Sequence, residues 1–175
     1  FEAQIDTGKM VSQLLKKAQE KGVKVLNNIS VLGFSEGTNQ VKINTTQGEV
    51  LASKLFFATN GFSKELLKES ISPARAQVLI TSQIKNLHIK GTFHLEEGYY
   101  YFRNINNRIL LGGGRNLDFE TEETTQFGET TLIQNKLENL LKTTILPNKD
   151  FEITHRWSGI MGVGIQKKPI VKQLS

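Results

Sequence analysis

Apolar residues at three- and four-residue intervals predict a helix over Lys9–Glu20, with Met10, Val11, Leu14, Leu15 and Ala18 on one face. Asp6 or Thr7 can cap it, and Gly22 supplies the stop. Short apolar runs then predict strands over Val23–Leu26, Ser30–Phe34 and Gln40–Asn44. Gln47-Gly48 turns the chain into Glu49–Ala52, and Leu55–Ala58 reads as a buried strand. Gly61–Lys68, with Ser63 available as a cap, has room for one or two helical turns. Strands resume at Gln77–Ile84, Thr92–Leu95, Tyr99–Arg103 and Ile109–Gly112. The last two form a hairpin, because Asn106-Asn107 tolerates the positive φ of a tight turn. A second helix is predicted over Gly128–Thr144, where Ile133, Leu137, Leu140, Leu141 and Ile145 line one face and Pro147 follows as a breaker. A final strand covers Phe151–Trp157. Many strands and two separated helices predict an α+β fold, with a mixed, mainly antiparallel sheet and helices packed on it.

One stretch breaks the alternation. His155–Pro169, HRWSGIMGVGIQKKP, holds the single tryptophan and three glycines. It reads either as a strand ending in an irregular loop with Trp157 in the core, or as backbone that lies against something large or flat. LFFATNG, at Leu55–Gly61, also has two readings. It is an ordinary strand-to-turn junction, or a strand end whose exposed amides meet a ligand.

Composition narrows the function classes. With 175 residues, 38% hydrophobic and 22% charged, the chain is that of an ordinary globular protein with a real core. No apolar run reaches the roughly 18 residues of a membrane span, so no membrane partner is expected. There is no signal-peptide pattern, and a cytoplasmic location is the expectation. Zero cysteines exclude disulfides and thiolate chemistry. The net charge is +5, but the lysines are scattered without interleaved aromatics, so nucleic acid is not an expected partner. Phe1 at the start and an apolar Pro169–Val171 near the end read as a piece of a longer polypeptide.

Several chemistries drop out. His88, His94 and His155 share no ligand spacing, so no metal site is expected. No G-x-S-x-G elbow is present, and Gly112–Gly114 is neither a P-loop nor a dinucleotide fingerprint.

Six segments, in order, resemble the D-amino-acid oxidase, glycine oxidase and sarcosine oxidase superfamily of FAD-dependent oxidoreductases. QIDTGKMVSQLLKKAQEKGVKV resembles the helix before the family's adenine-side strand, and ISVLGF resembles that strand. ASKLFFATNGFSKELL resembles A-T-G-x-x-S/T-x-x-L, with Asn60 in place of a small residue or shifting the loop. ISPARAQVLIT resembles P-x-R/K-G-Q/E, with Ala76 for glycine. YYYFRNINNRILLGGG resembles the family hairpin Y-x-x-P-R/K-x-x-x-R-x-x-x-G, and HRWSGIMGVGIQKKP resembles H-W-S-G-I-R-P-x-T-x-D-G-x-P. The G-x-G-x-x-G unit and the C-terminal glycine-rich helix start of the family have no counterpart, as a piece of a longer chain would explain.

The resemblance implies an enzyme that oxidises a C–N bond of an amine or modified amino acid to an imine, passing hydride to FAD. It implies residues 1–72 as part of the FAD-binding domain, 73–158 as the substrate domain, and 159–175 as the return towards the FAD-binding domain. Val31 would meet the adenine; Ala58, Thr59, Asn60 and Gly61 would face the cofactor, and Gly159 and Ile160 would pass the flavin ring. Tyr100 falls on a substrate-facing tyrosine, with a cross-strand aromatic pair in the core as its alternative. Met161 falls where amino-acid-oxidising members carry a carboxylate-binding arginine, with core packing as its alternative. Arg103 or Arg156 would have to supply that cation from a neighbouring position. The isolated piece, lacking the pyrophosphate anchor, is expected to bind FAD weakly and to be inactive. The alternatives are a non-catalytic binding module of the same fold, or a flavoprotein domain in tRNA modification.

Overall fold

The computed structural model describes residues 4–67, 71–166 and 168–174. The chain divides into two compact units, Phe1–Phe57 and Ala58–Ser175. The boundary between the compact units follows Phe57. The reason is that the turn after Ala58 packs on a strand near the far end of the chain, as described below.

In the first unit, α1 (Thr7–Glu20) starts where the Asp6 carboxylate accepts the Lys9 backbone N–H at 3.0 Å. That bond satisfies one of the donors left over at any helix start. The helix ends with Gly22 N donating to Gln19 O and Val23 N to Ala18 O, with Gly22 at φ 87°. This left-handed closing turn is the one glycine permits without strain. A meander of β1 (Val31–Glu36), β2 (Val41–Thr45) and β3 (Gly48–Ala52) follows, antiparallel throughout. The β1 register slips between Val31 and Gly33, a bulge that leaves Val31 partly exposed at the strand's start.

Two expected strands do not form. Val23–Leu26 and Leu55–Ala58 have no strand beside them among the described residues, and an apolar run without a neighbour has no ladder to join. Phe57 instead packs its ring against Phe34, with centroids 5.0 Å apart.

The second unit opens with a 3-10 turn, Asn60–Phe62, running into the short helix α2 (Ser63–Leu66). Ser63 does not cap that helix; its hydroxyl pairs with Thr59 Oγ1 at 2.9 Å. The expected Gly61–Lys68 segment ends on Lys68, outside the described residues. Five strands form an antiparallel sheet: β4 (Ile71–Thr81), β5 (Thr92–Leu95), β6 (Tyr100–Ile105), β7 (Arg108–Gly113) and β8 (Ile153–Gly164), ordered β5-β6-β7-β4-β8. β6 and β7 meet in the expected hairpin, with Asn106 at φ 47° and Asn107 at φ 59°. β8 runs unbroken through residue 159, so HRWSGIMGVG is strand rather than irregular loop. Eleven register pairs with β4, from Ile71↔Gly164 to Thr81↔Ile153, override the weak strand propensity of its glycines.

α3 (Thr131–Leu140) continues through a wide turn, Leu141–Ile145, closed by Leu146 N to Leu141 O at 2.8 Å. It packs one sheet face, and the core there joins Leu79, Tyr100, Phe102, Ile109 and Leu111 to Ile133, Leu137, Leu140, Leu141 and Ile145. Among the described residues no helix is long and apolar enough to cross a membrane.

Candidate active site

Residues directly opposite each other in an antiparallel pair share a sheet face, and neighbours along a strand alternate. The register therefore sorts the second unit's sheet into two faces. Towards α3 point Tyr100, Phe102, Leu111, Leu79, Gln77, Arg75, Arg156, Ser158 and Ile160. Away from α3, one row crosses the sheet as Tyr101, Gly112, Val78 and Trp157. The next rows carry Ala76 with Gly159, and Ala74 with Met161.

The face away from α3 is open. Tyr101, Trp157 and Met161 are 36%, 40% and 43% exposed, so Trp157 does not fill the core. Between Trp157 and Met161 the floor is low, because a Cβ added at Gly159 would meet nothing within 4 Å. Ala76 adds only a methyl group beside it, and Ala74, opposite Met161, is fully buried. A planar group fits such a floor, since bare backbone allows close approach over an area bounded by aromatic and thioether side chains. The Tyr101 phenol is a hydrogen-bond donor at neutral pH, as any tyrosine is, and burial pushes its pKa above the ordinary value.

The predicted residues do not all gather here. Tyr100 is fully buried on the α3 side, with Lys136 Nζ 5.6 Å from its ring centroid and its hydroxyl without a hydrogen-bond partner among the described residues. Its cross-strand partners are Leu95 and Gly113, so it is packed in the core without the aromatic pair that was the alternative; the tyrosine on the open face is its neighbour Tyr101. Arg103 shares that face but lies in the row of Leu110, Ile80 and His155. With about 4.8 Å between strands and 3.3 Å per residue along them, it stands roughly 25 Å from Met161, far beyond a guanidinium's reach. Arg156 points to the other face, where it bonds Gln134 Oε1 at 2.6 Å and pairs with Glu138. Neither arginine supplies a cation beside Met161.

The cofactor-side expectations fall in both units. Val31 lies in the first unit; Ala58, Thr59, Asn60, Gly61, Gly159 and Ile160 lie in the second. Gly61 is buried against β8, where a Cβ would stand 2.6 Å from Met161 O. Asn60 is committed to the same strand through its side-chain amide, and the Ile160 side chain is buried. Gly159 is the position left open, and Ala58 is exposed.

Beneath the sheet lies a polar network that the sequence did not announce. Arg75 Nε and Nη2 donate to the Glu122 carboxylate at 2.9 and 2.7 Å, and Glu122 is fully buried. Hydrogen bonding to Glu122 pushes the Arg75 pKa further up against its own desolvation. Gln77 Nε2 bonds Glu122 and Thr130 Oγ1, while its Oε1 accepts from Thr130 N and Gln134 Nε2. Glu122 sits in a loop without periodicity, so only the alternating polar pair Arg75 and Gln77 hinted at a buried partner. The network ties the loop before α3 to β4 and holds the floor's underside rigid.

Comparison with known proteins agrees with this architecture. A family model for FAD dependent oxidoreductase matches residues 2–175. The chain is 24% identical over 175 residues to the bifunctional protein ThiO/ThiG of Trichormus variabilis, covering 97% of this chain and 26% of the relative. It is 24% identical over 136 residues to that of Synechocystis sp., covering 75% of this chain and 21% of the relative. The chain thus spans about a quarter of these curated relatives. L-proline dehydrogenase from P. horikoshii superposes with a TM-score of 0.79 at 21% identity, over 97% of this chain and 47% of that one. Glycine oxidase from Geobacillus kaustophilus gives 0.73 at 16% identity, over 90% and 42%. With the family model matching nearly end to end, this chain belongs to the DAO family of FAD-dependent oxidoreductases.

Proposed function

We propose that the protein carrying this chain oxidises the C–N bond of an amine or modified amino acid, with the open face of the second unit's sheet as the substrate floor. When bound, FAD supplies the two-electron acceptor for the hydride leaving the amine-bearing carbon. Loss of that hydride and of the amine proton leaves an imine, which water hydrolyses to a carbonyl compound and ammonia or a smaller amine. The residues of this chain orient and desolvate the substrate. Trp157, Tyr101 and Met161 bound the floor, Gly159 and Ala76 keep it low, and the protonated Tyr101 phenol offers a donor. Of the cofactor-side positions in the second unit, Gly159 and Ala58 are the ones open to a cofactor.

The observation that carries the substrate preference is the surroundings of Met161. Its opposite residue is Ala74, and its nearest same-face neighbours on β8 are Gly159 and Val163. Among the described residues these rows carry no cation, so a carboxylate held there in a closed, substrate-bound protein would be desolvated without a cationic partner, which disfavours it. Amines whose carboxylate is absent, masked or distant are therefore favoured over plain α-amino acids. The test is anaerobic mixing of the purified full-length protein with matched pairs of substrates, an amine and its α-carboxylated counterpart. Flavin bleaching by the amine and not by the amino acid supports the reading; the opposite preference removes it.

A further inference from the structure

β8 is an edge strand of its sheet, so one side of its backbone has no strand partner among the described residues. At one place that side is nevertheless paired, by a single side chain. Asn60 Nδ2 donates to Ile160 O at 3.3 Å, and Asn60 Oδ1 accepts from Gly162 N at 2.7 Å. A side-chain amide presents one donor and one acceptor in a plane, the same pair a neighbouring strand residue would offer. Asn60 itself sits at φ 50°, a left-handed conformation that asparagine tolerates better than most residues.

The fit around this pair leaves no clearance. A Cβ on Gly61 would stand 2.6 Å from Met161 O and 2.8 Å from Ile160 Cγ2. A Cβ on Gly162 would stand 2.9 Å from Asn60 Oδ1 and 3.1 Å from Gly61 N. Backbone thus lies on backbone, and the amide bonds the residues immediately before and after Met161.

We propose that Asn60 is a latch that positions Met161, rather than a ligand of the cofactor through its side chain. Holding Ile160 O and Gly162 N fixes both peptide planes that flank Met161 on a glycine-rich edge. Its side chain is thereby aimed onto the open face, and the Ala58–Gly61 turn moves as one body with the specificity position. Asn60 is a positioning residue acting through Met161, and this role rests on the reading of that face as the substrate floor.

The test uses the full-length protein and three variants. Asn60→Gly keeps the left-handed backbone and removes both bonds. Asn60→Asp keeps the acceptor for Gly162 N and removes the donor to Ile160 O. Met161→Ala is made alone and combined with Asn60→Gly. Amide hydrogen exchange is read at Gly162 and at Gly159, whose N–H faces β4 by the alternation of the ladder. The expected result is about a tenfold loss of protection at Gly162 in Asn60→Gly, as for one lost hydrogen bond, its retention in Asn60→Asp, and no change at Gly159. The amine KM should rise several-fold in Asn60→Gly with kcat little changed, and that rise should vanish in the Met161→Ala background. Unchanged Gly162 protection in Asn60→Gly overturns the latch, and a KM rise that persists undiminished in Met161→Ala overturns its action through Met161. A colourless wild-type protein would instead sink the flavoenzyme reading, and the exchange measurement would still decide the latch.

Discussion

The Tyr101 ring lies across Gly112: a Cβ at that glycine would stand 2.7 Å from both Tyr101 Cζ and the hydroxyl oxygen. Glycine at 112 is thus what lets the phenol lie flat on the open face. The clash is with the far end of a partly exposed side chain, which can swing away. Gly112→Ala should therefore cost under about 1 kcal/mol of stability while expelling the ring. Thermal unfolding checks the first part, and return of the Tyr101 pKa towards its ordinary value checks the second.

The adjacent glycine should behave in the opposite way. Gly113 has φ 121°, and a Cβ there would run into Tyr99 O and the Tyr100 backbone. Backbone cannot swing aside, so Gly113→Ala combines a forbidden conformation with a main-chain clash. A loss of about 2–4 kcal/mol in denaturant unfolding is expected.

Tyr100 on the α3 side and Tyr101 on the open face separate packing from substrate contact. Tyr100 carries a buried hydroxyl without a partner among the described residues, so Tyr100→Phe should leave stability unchanged or raise it by about 1 kcal/mol. Its substrate KM should not move. Tyr101→Phe should leave stability alone and shift KM. The reversed pattern would return Tyr100 to the substrate side.

Alkaline pH offers an independent check on both phenols. Burial raises both pKa values, with the Glu96 charge adding to the effect at Tyr100. The unfolded chain releases these protons near pH 10, whereas the folded chain keeps them to higher pH. Stability is therefore fully present below about pH 10 and falls as pH rises above it. Phenolate absorbance should show late-titrating tyrosines that disappear stepwise in Tyr100→Phe and Tyr101→Phe.

The Arg75–Glu122 pair should be costly to break one-sidedly. Glu122→Ala leaves a buried guanidinium without its carboxylate and frees Gln77 Nε2 from one acceptor. About 3–5 kcal/mol should be lost. Replacing both partners with apolar residues should recover much of that, as a double-mutant cycle in urea would measure.

What was legible in the sequence was mostly local chemistry. α1 carries its own start at Asp6 and stop at Gly22, and the β6–β7 hairpin is written in Asn106-Asn107. What was not legible depended on partners distant in the chain. The glycines of Gly159–Gly164 argue against a strand until β4 is beside them, and Leu55–Ala58 looks like a strand until no neighbour appears. In the candidate site, the run Tyr99-Tyr100-Tyr101 leaves face assignment to a register that one residue of slip inverts. The left-handed Gly113 and Gly114 help close that register, and no propensity reports it. Asn60 stood out in the sequence as a departure, but its partners lie a hundred residues away.

The most direct test of the central claim is an anaerobic spectrum of the full-length protein before and after addition of an uncharged or carboxylate-free amine. The account predicts a bound flavin whose visible band bleaches with that amine, more slowly in Tyr101→Phe, and not with the matched α-amino acid. A protein that purifies without flavin, or a flavin reduced by the amino acid and untouched by the amine, would contradict it.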